Sequence, residues 1–156
     1  IGWLLDLPLA VLGAVFAKRL KALGADHVIN YRTQADWGAK AFELAGGKGV
    51  DHVVEIGGPA TLPQSIAALK VGGHIALIGV LTGFSGEVPT AALMAKQGRL
   101  QGLIVGNREQ QLDMVQAIEA NQMRPVIDRS FPLEQIVAAH EAVEAGTVVG
   151  NVVVTL

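Results

Sequence analysis

Among the side chains that are able to do acid–base or metal chemistry, this chain has four histidines and 14 aspartates and glutamates. None of them falls into a spacing that predicts catalysis. A Ser-His-Asp set with nucleophile-elbow spacing is absent, and the carboxylates Asp26, Asp51 and Glu55 flank apolar segments without forming an acidic pair. Because the chain has no cysteine, disulfides, thiolate metal sites and cysteine nucleophiles are excluded.

The histidines lie near predicted strand starts or on a predicted helix, where a core or surface role is expected: His27, His52, His74 and His140. We therefore predict no catalytic residue and no metal ligand within the chain. The phosphate-binding pattern G-x-G-x-x-G is also missing from the sequence.

Composition favours a well-buried α/β core. Of the 156 residues, 51% are hydrophobic and 17% are charged, and the mean hydropathy of +0.42 is high for a freestanding domain. Several fully buried strands, or apolar surface that meets a partner, would explain this value. The net charge is −2 and the basic residues are dispersed, so nucleic acid is not an expected partner.

The N-terminal segment Ile1–Phe16 is apolar apart from Asp6 and precedes a basic cluster, the reverse order of a secretory signal. It is shorter than the roughly 20 residues of a membrane helix, and Asp6 and Pro8 interrupt it. We therefore expect Ile1–Phe16 to form a buried strand or helix. For the chain as a whole we expect no membrane partner and a cytoplasmic location. Since the first residue is not Met, we expect a partial or trimmed product.

Apolar runs alternate with amphipathic runs along the chain. The periodicity predicts helices over 9–23, from Trp37 (with Asp36 as N-cap) to about 45, over 61–69, 107–121 and about 133–145. It predicts strands over 27–30, 51–56, 74–80, 100–105 and 151–156, with Gly72-Gly73 as the turn before the third strand. Apolar strands separated by helices predict a doubly wound α/β fold around a parallel sheet covered on both faces. The composition shifts near Gly106, which divides the chain into residues 1–106 and residues 107–156.

Five phrases occur in order and in register between Leu20 and Leu156: ALGADHVINYR, GVDHVVEIGG, VGGHIALIGV, LQGLIVGNRE and RPVIDRSFPLEQIVAAHEAVEAG. Together they resemble the medium-chain dehydrogenase/reductase superfamily, in the branch of zinc-type NAD(P)-dependent alcohol dehydrogenases and quinone-oxidoreductase-like enzymes. The resemblance implies a Rossmann-like, mostly parallel sheet truncated at its N-terminal half. In this reading residues 1–106 are a partial dinucleotide-binding domain, and residues 107–156 pack in the family on a catalytic domain absent here.

The resemblance also implies a cofactor site for NAD or NADP at the carboxyl ends of the strands. By position, Gly57 and Gly58 would approach the adenosine side, whereas Gly79 and Val80 would contact the nicotinamide ring. The next strand end would contact the nicotinamide or its ribose through Val105, Gly106 and Asn107, and Arg108 would reach a phosphate. Ordinary turns for the glycines and a solvated charge for Arg108 remain the alternatives.

Departures from the family pattern predict that the isolated chain binds the dinucleotide weakly or not at all. Leu12–Phe16 matches the region that chooses NAD or NADP but has no charge or hydroxyl group, and Asn151 replaces a basic residue before the last strand. In the family, zinc in the front domain acts as a Lewis acid on an alcohol whose hydride passes to the nicotinamide. Zinc would therefore enter only through a domain outside this chain, and we expect no hydride transfer by the chain alone.

Three functional hypotheses follow. The first is the cofactor-binding portion of a zinc-type alcohol dehydrogenase, the second is a noncatalytic oligomerisation module or remnant, and the third is a membrane-tethered form that uses Ile1–Phe16. The strand Asp51–Ile56 would lack a neighbour from the glycine-loop half, which Ile1–Phe16 would replace or cover. The apolar face of the segment after Gly106 would need another partner, and a second copy of the chain, hence a homo-oligomer, is expected.

Overall fold

A computed structural model describes residues 9–156, which form two compact units, residues 9–104 and Val105–Leu156. The first unit contains α1 (Leu9–Ala22), α2 (Trp37–Leu44), β1 (Val50–Glu55), α3 (Leu62–Ala68), β2 (Leu69–Leu77), α4 (Thr90–Ala95) and β3 (Arg99–Gly102). The second contains α5 (Arg108–Ala120), β4 (Ile127–Pro132), a short 3-10 helix (Leu133–Gln135), α6 (Ile136–Glu144) and β5 (Asn151–Thr155). None of these described helices has the length and apolarity needed to cross a membrane.

The sheet of the first unit has the strand order β1-β2-β3, and both pairings are parallel. Val53, Ile75 and Leu100 lie opposite one another in the ladder, so their side chains point to the same face. That face packs on α3, where Leu62 and Ile66 are 4% and 1% exposed. The core of the unit therefore lies between the sheet and α3.

Leu69, at the junction of α3 and β2, is completely buried because two glycines leave room for it. A Cβ at Gly73 would lie 2.5 Å from Leu69 Cδ1, and a Cβ at Gly98 would lie 2.7 Å from Leu69 Cδ2. Both distances are far below van der Waals contact, so neither position accepts a larger residue without repacking. Glycine here provides space for a core side chain.

The opposite face of the sheet is less covered. Val54 is 68% exposed, and in the same ladder the rings of His52 and His74 meet edge to face with their centroids 6.0 Å apart. The prediction of a sheet covered on both faces is therefore not met at Val54 within the described part of the chain. The predicted coverage by Ile1–Phe16 falls in part on residues 1–8, which lie outside the described residues, whereas Leu9–Phe16 belongs to α1.

The second unit is a β-α-β arrangement in which β4 and β5 pair in parallel and α6 connects and contacts both strands. Ala139 on α6 is its buried residue, at 3% exposure. Asn107 caps α5: its side-chain oxygen accepts from the Gln110 N–H, and the Gln110 side chain accepts in return from the Asn107 N–H, both at 2.9 Å. This reciprocal arrangement is a capping box.

Most predicted elements are confirmed with ends shifted by a few residues, as is the α/β class with parallel strands. The predicted strand over 27–30 is wrong, because those residues form no strand. The Asn30 carbonyl instead accepts from the N–H groups of Thr33 and Gln34, and the Asn30 side chain accepts from the Arg32 N–H. An asparagine side chain that bonds two residues ahead favours a turn.

The structure also differs from the predictions at the start of β2, at the N-cap of α2 and in the elements α4 and β4. The predicted turn at Gly72-Gly73 lies inside β2, which starts at Leu69. The chain is irregular at these glycines, because the pairing with β1 passes from Leu69 directly to His74 and Gly72 has a φ of +77°. Asp36 stands at the N-cap position of α2 but makes no capping hydrogen bond through its side chain. Two elements were missed, α4 and β4: Pro89 precedes the short helix α4, and β4 includes Asp128, Arg129 and Ser130, so an apolar pattern did not reveal it.

Candidate functional site

The ends of β1 and β2 converge on Glu55, the last residue of β1, whose side chain is only 4% exposed. Its Oε1 atom accepts hydrogen bonds from the Gly57 N–H at 2.8 Å, the Gly58 N–H at 3.0 Å and the Thr61 hydroxyl at 2.6 Å. Its Oε2 atom accepts from the Ser65 hydroxyl on α3. Neutral donors thus surround a buried carboxylate, which satisfies its acceptor sites without a cation.

The main chain of Glu55 also connects the two strand ends. Its carbonyl oxygen accepts from the N–H groups of Ile78 and Gly79, at 2.8 and 3.2 Å, just after β2. The end of β3 follows the same pattern, because the Leu103 N–H donates to the Leu77 carbonyl at 2.9 Å. Three consecutive strand ends are therefore fixed to one another by backbone hydrogen bonds.

Thr82 links the two loops that follow these strands. Its N–H and its hydroxyl both donate to the Gly57 carbonyl at 2.8 Å, and its hydroxyl oxygen accepts from the Ala60 N–H at 3.0 Å. Since one side chain bridges both loops, the position of the loop after β1 depends on the loop after β2.

At two predicted cofactor contacts, Gly58 and Gly79, neighbouring backbone atoms leave no room for a larger residue. A Cβ at Gly79 would lie 2.2 Å from the Ile56 carbonyl oxygen. Gly58 is buried, has a φ of +92°, and would place a Cβ 3.0 Å from the Cα atom of Val80. A positive φ and a close backbone approach both favour glycine. The structure thus brings Gly57, Gly58, Gly79 and Val80 together.

The polar groups of the Gly57-Gly58 turn are already paired within the protein. Both N–H groups donate to Glu55, the Gly57 carbonyl accepts from Thr82, and the Gly58 carbonyl accepts from the N–H groups of Thr61 and Leu62 at 3.1 and 2.9 Å. A ligand at this turn would find a surface for van der Waals contact rather than free hydrogen-bond donors. The turn after β1 therefore has no free N–H group at Gly57 or Gly58.

The other four predicted contacts belong to the second unit and are all exposed there. Val105 is 87% exposed, Gly106 leaves space for the Gln110 side chain 3.0 Å from where a Cβ would stand, and Asn107 is the N-cap of α5. The Arg108 guanidinium donates to the Gln111 side chain at 2.6 Å. Capping and helix-surface contacts therefore account for Gly106, Asn107 and Arg108 within this unit.

Among the described residues, no group of three or more histidine and carboxylate side chains is arranged to hold a metal ion. The described residues therefore do not fit a zinc site. The joined strand ends offer a surface against which a ring of a dinucleotide could pack. They offer no N–H groups for its phosphates at Gly57 and Gly58, because both donate to Glu55. His52 and His74 contact each other within the sheet.

Sequence reasoning gave no role to Glu55, Thr61, Ser65 or Thr82. A signal for Glu55 was available: a carboxylate near the end of a β-branched strand stands two residues before the pair Gly57-Gly58. Because a buried charge needs partners, that placement predicts a hydrogen-bonded carboxylate. The hydroxyl donors carry no comparable signal, since their proximity depends on the path of α3 and of the loop after β2.

A parallel α/β unit whose strand ends meet at one edge is the architecture of dinucleotide-binding domains. The chain belongs to the zinc-binding dehydrogenase family, which matches residues 23–154. Within the medium-chain dehydrogenase/reductase superfamily, its relatives are zinc-type alcohol dehydrogenases and quinone oxidoreductases, which confirms the resemblance seen in the five phrases.

A zinc-type alcohol dehydrogenase-like protein of Schizosaccharomyces pombe is 36% identical over 141 residues, which cover 87% of this chain and 40% of that protein. The crystal structure of a putative alcohol dehydrogenase from Sinorhizobium meliloti superposes with a TM-score of 0.80 at 37% identity, covering 91% of this chain and 41% of that one. A mycobacterial protein solved in complex with NADPH gives a TM-score of 0.70 at 29% identity, covering 92% of this chain and 47% of that one. The chain thus spans less than half the length of these three proteins.

Proposed function

We propose that this chain is the cofactor-binding portion of an NAD(P)-dependent oxidoreductase of the zinc-type alcohol dehydrogenase and quinone oxidoreductase kind. The observation that carries the proposal is the set of strand ends fixed by Glu55 and Thr82, in a chain of this family. Support comes from the NADPH complex of the mycobacterial neighbour. The nicotinamide ring would carry the hydride, while this chain's part is to bind and orient the dinucleotide.

In this proposal the chain alone does not transfer hydride. The described residues present no group arranged to hold a metal ion, and the carboxylate at the end of β1, Glu55, is buried among its donors. The substrate would therefore be activated by residues outside the described part of the chain. A cytoplasmic location remains a prediction from the sequence.

The test is a fluorescence titration of the chain with NADH and with NADPH, with Val80→Asp as the site variant. Val80 is 45% exposed beside Gly58, so a carboxylate there would repel the dinucleotide phosphates and displace a flat ring. Val71→Asp is the matched control, because Val71 is also exposed, at 61%, but lies near the other end of β2.

Because the phosphate-binding glycine pattern is missing from the sequence, we expect weak but saturable binding, which is weakened further in Val80→Asp and retained in Val71→Asp. Absence of saturable binding by the unmodified chain up to millimolar dinucleotide would refute the proposal. Equal losses in both variants would show that a bound dinucleotide does not use this edge of the sheet.

A second candidate function, self-association without catalysis, is favoured by α5, whose apolar side chains remain open. Leu112, Met114 and Val115 are 47%, 54% and 42% exposed. A helix with exposed apolar residues of this size gains free energy by burying them against a second copy. Sedimentation velocity over a range of concentrations tests this candidate, with Leu112→Glu as the disrupting variant. Ala117→Glu is the control, because it adds the same charge on the side of α5 away from Leu112 and Val115. Monomeric behaviour of the unmodified chain at all concentrations would exclude it.

A further inference from the structure

We infer that Glu55 is the positioning residue of the dinucleotide site: it does not touch the cofactor, but it holds the Gly57-Gly58 turn as a closed surface, without free N–H groups, beside Val80. The inference rests on the proposed function for its cofactor part. Its structural part, that the Glu55 carboxylate fixes the turn, stands on the hydrogen bonds alone.

The first argument is that Glu55 reaches every part of the loop that it would have to hold. Its side chain accepts from the N–H groups of Gly57 and Gly58 and from the hydroxyl groups of Thr61 and Ser65. These donors run from the turn after β1 into α3. One carboxylate therefore sets the distance between the strand end and the helix that follows it.

The second argument concerns what the turn can bind. Successive N–H groups in a turn of this kind would form an anion-binding nest if they were free. Here both N–H groups point at Glu55, and the charge of the carboxylate lies where a phosphate would have to sit. The turn is consequently closed to phosphate, which leaves its peptide surface and Val80 as a wall for a flat ring.

The third argument is that hydrogen bonds connect the Gly57-Gly58 turn to the end of the neighbouring strand, β2. The Glu55 carbonyl holds Ile78 and Gly79 through their N–H groups, and Thr82 returns to the Gly57 carbonyl. When the carboxylate is removed, the donors of the turn and of the segment from Thr61 to Ser65 lose four hydrogen bonds, while the backbone hydrogen bonds of the sheet remain. The expected effect is a local loosening of the turn rather than loss of the sheet.

The chemistry of Ser65 supplies a rescue variant. In Glu55→Gln the amide oxygen accepts from Gly57, Gly58 and Thr61, and the amide nitrogen donates to the Ser65 hydroxyl, because a hydroxyl accepts as well as donates. In the double variant Glu55→Gln/Ser65→Ala the amide nitrogen loses its buried acceptor, which is unfavourable. The matched control is Leu100→Ala, which truncates a side chain packed on the core of the sheet and makes no contact with the carboxylate.

The experiment measures two quantities in each variant: amide hydrogen exchange at Gly57 and Gly58 by NMR, and dinucleotide affinity by NADH and NADPH fluorescence. We expect Glu55→Ala to accelerate exchange at both glycines and to weaken the affinity by about tenfold or more, the equivalent of one lost charge-assisted hydrogen bond. Glu55→Gln should restore both quantities to within about threefold of the unmodified chain. The double variant Glu55→Gln/Ser65→Ala should again show faster exchange and weaker affinity. Leu100→Ala should lower the thermal midpoint but keep the exchange rates and the affinity of the unmodified chain.

The two failures are distinguishable. Unchanged exchange at Gly57 and Gly58 in both Glu55→Ala and the double variant would overturn the positioning role, whatever the affinity. If Glu55→Ala fails to fold, the double variant decides the question by the same two measurements. If the unmodified chain binds neither NADH nor NADPH, the proposed function fails and the cofactor part of the inference fails with it. A loss of affinity in Leu100→Ala equal to that in the Glu55 variants would show that general instability is the cause.

Discussion

The backbone of Gly79 lies against the Ile56 carbonyl so closely that a Cβ at Gly79 would stand 2.2 Å from the carbonyl oxygen. This contact joins the residue after β1 to the loop after β2. It is also the reason that the strand end has a glycine, whether or not a ligand approaches from the other side. Glycine is therefore required at position 79 on steric grounds, and a larger residue should destabilise the fold.

Gly79→Ala is expected to lower the free energy of unfolding by about 1–3 kcal/mol, because the new methyl group forces the two loops apart. Gly102→Ala is the control, since a Cβ at Gly102 meets no atom within 4 Å. Chemical denaturation of both variants measures the difference. Equal and small effects would contradict the close contact.

Gly73→Ala is expected to destabilise the unmodified chain by about 1–3 kcal/mol, because the methyl group would collide with the side chain of Leu69. In a Leu69→Ala background, itself about 2–5 kcal/mol less stable, the same substitution should cost less, because only the Lys70 carbonyl oxygen, 3.1 Å from the new Cβ, remains close. The double-mutant cycle therefore predicts a coupling of more than about 0.5 kcal/mol between the two positions. Additive effects would show that the two residues do not compete for the same space.

The exposed ion pair between Asp51 and Lys70 predicts a dependence of stability on acid pH. The Lys70 ammonium, by hydrogen bond and by charge, holds the pKa of Asp51 below its ordinary value of 3.8. Because the pKa is lower in the folded chain, the pair stabilises the fold above about pH 3.8, and this contribution is lost as the pH falls through the folded-state value. Thermal melts of Asp51→Asn and of the unmodified chain should therefore differ at neutral pH and converge as the pH falls below the lowered folded-state pKa of Asp51.

The ion pair is open to solvent, with the side chains of Lys70 and Asp51 42% and 67% exposed, so added salt should reduce its contribution. Asp113→Asn, an exposed change on α5 in the second unit, serves as the control. A pH-independent difference between Asp51→Asn and the unmodified chain would argue against a charge effect.

Asn107→Ala is expected to destabilise α5 by about 1 kcal/mol, because the Gln110 N–H loses its side-chain acceptor. Asn107→Asp should keep the stability, since a carboxylate also caps a helix and interacts favourably with its N-terminal dipole. Circular dichroism during thermal unfolding measures both effects. A loss in Asn107→Asp as large as in Asn107→Ala would contradict the capping role.

The sequence by itself determined the α/β class, most helices and strands, and the family. Local signals sufficed for these features: Trp37–Leu44 ends where Gly46-Gly47 begins, and β1 is a short β-branched run that ends just before two glycines. Five phrases in register then identified the family. Such signals are encoded within a few residues, so neighbours distant in the sequence do not change them.

Only the tertiary structure decided what the strand-end residues do. The residues 27–30 form no strand, since local turn bonds of Asn30 prevailed and no described strand pairs with them. Glu55 became the centre of the candidate site because the loop after β1 and helix α3 bring donors to it from up to ten residues away in the chain. Periodicity measures apolar spacing along one element, whereas the partners of a buried carboxylate depend on how separate elements pack.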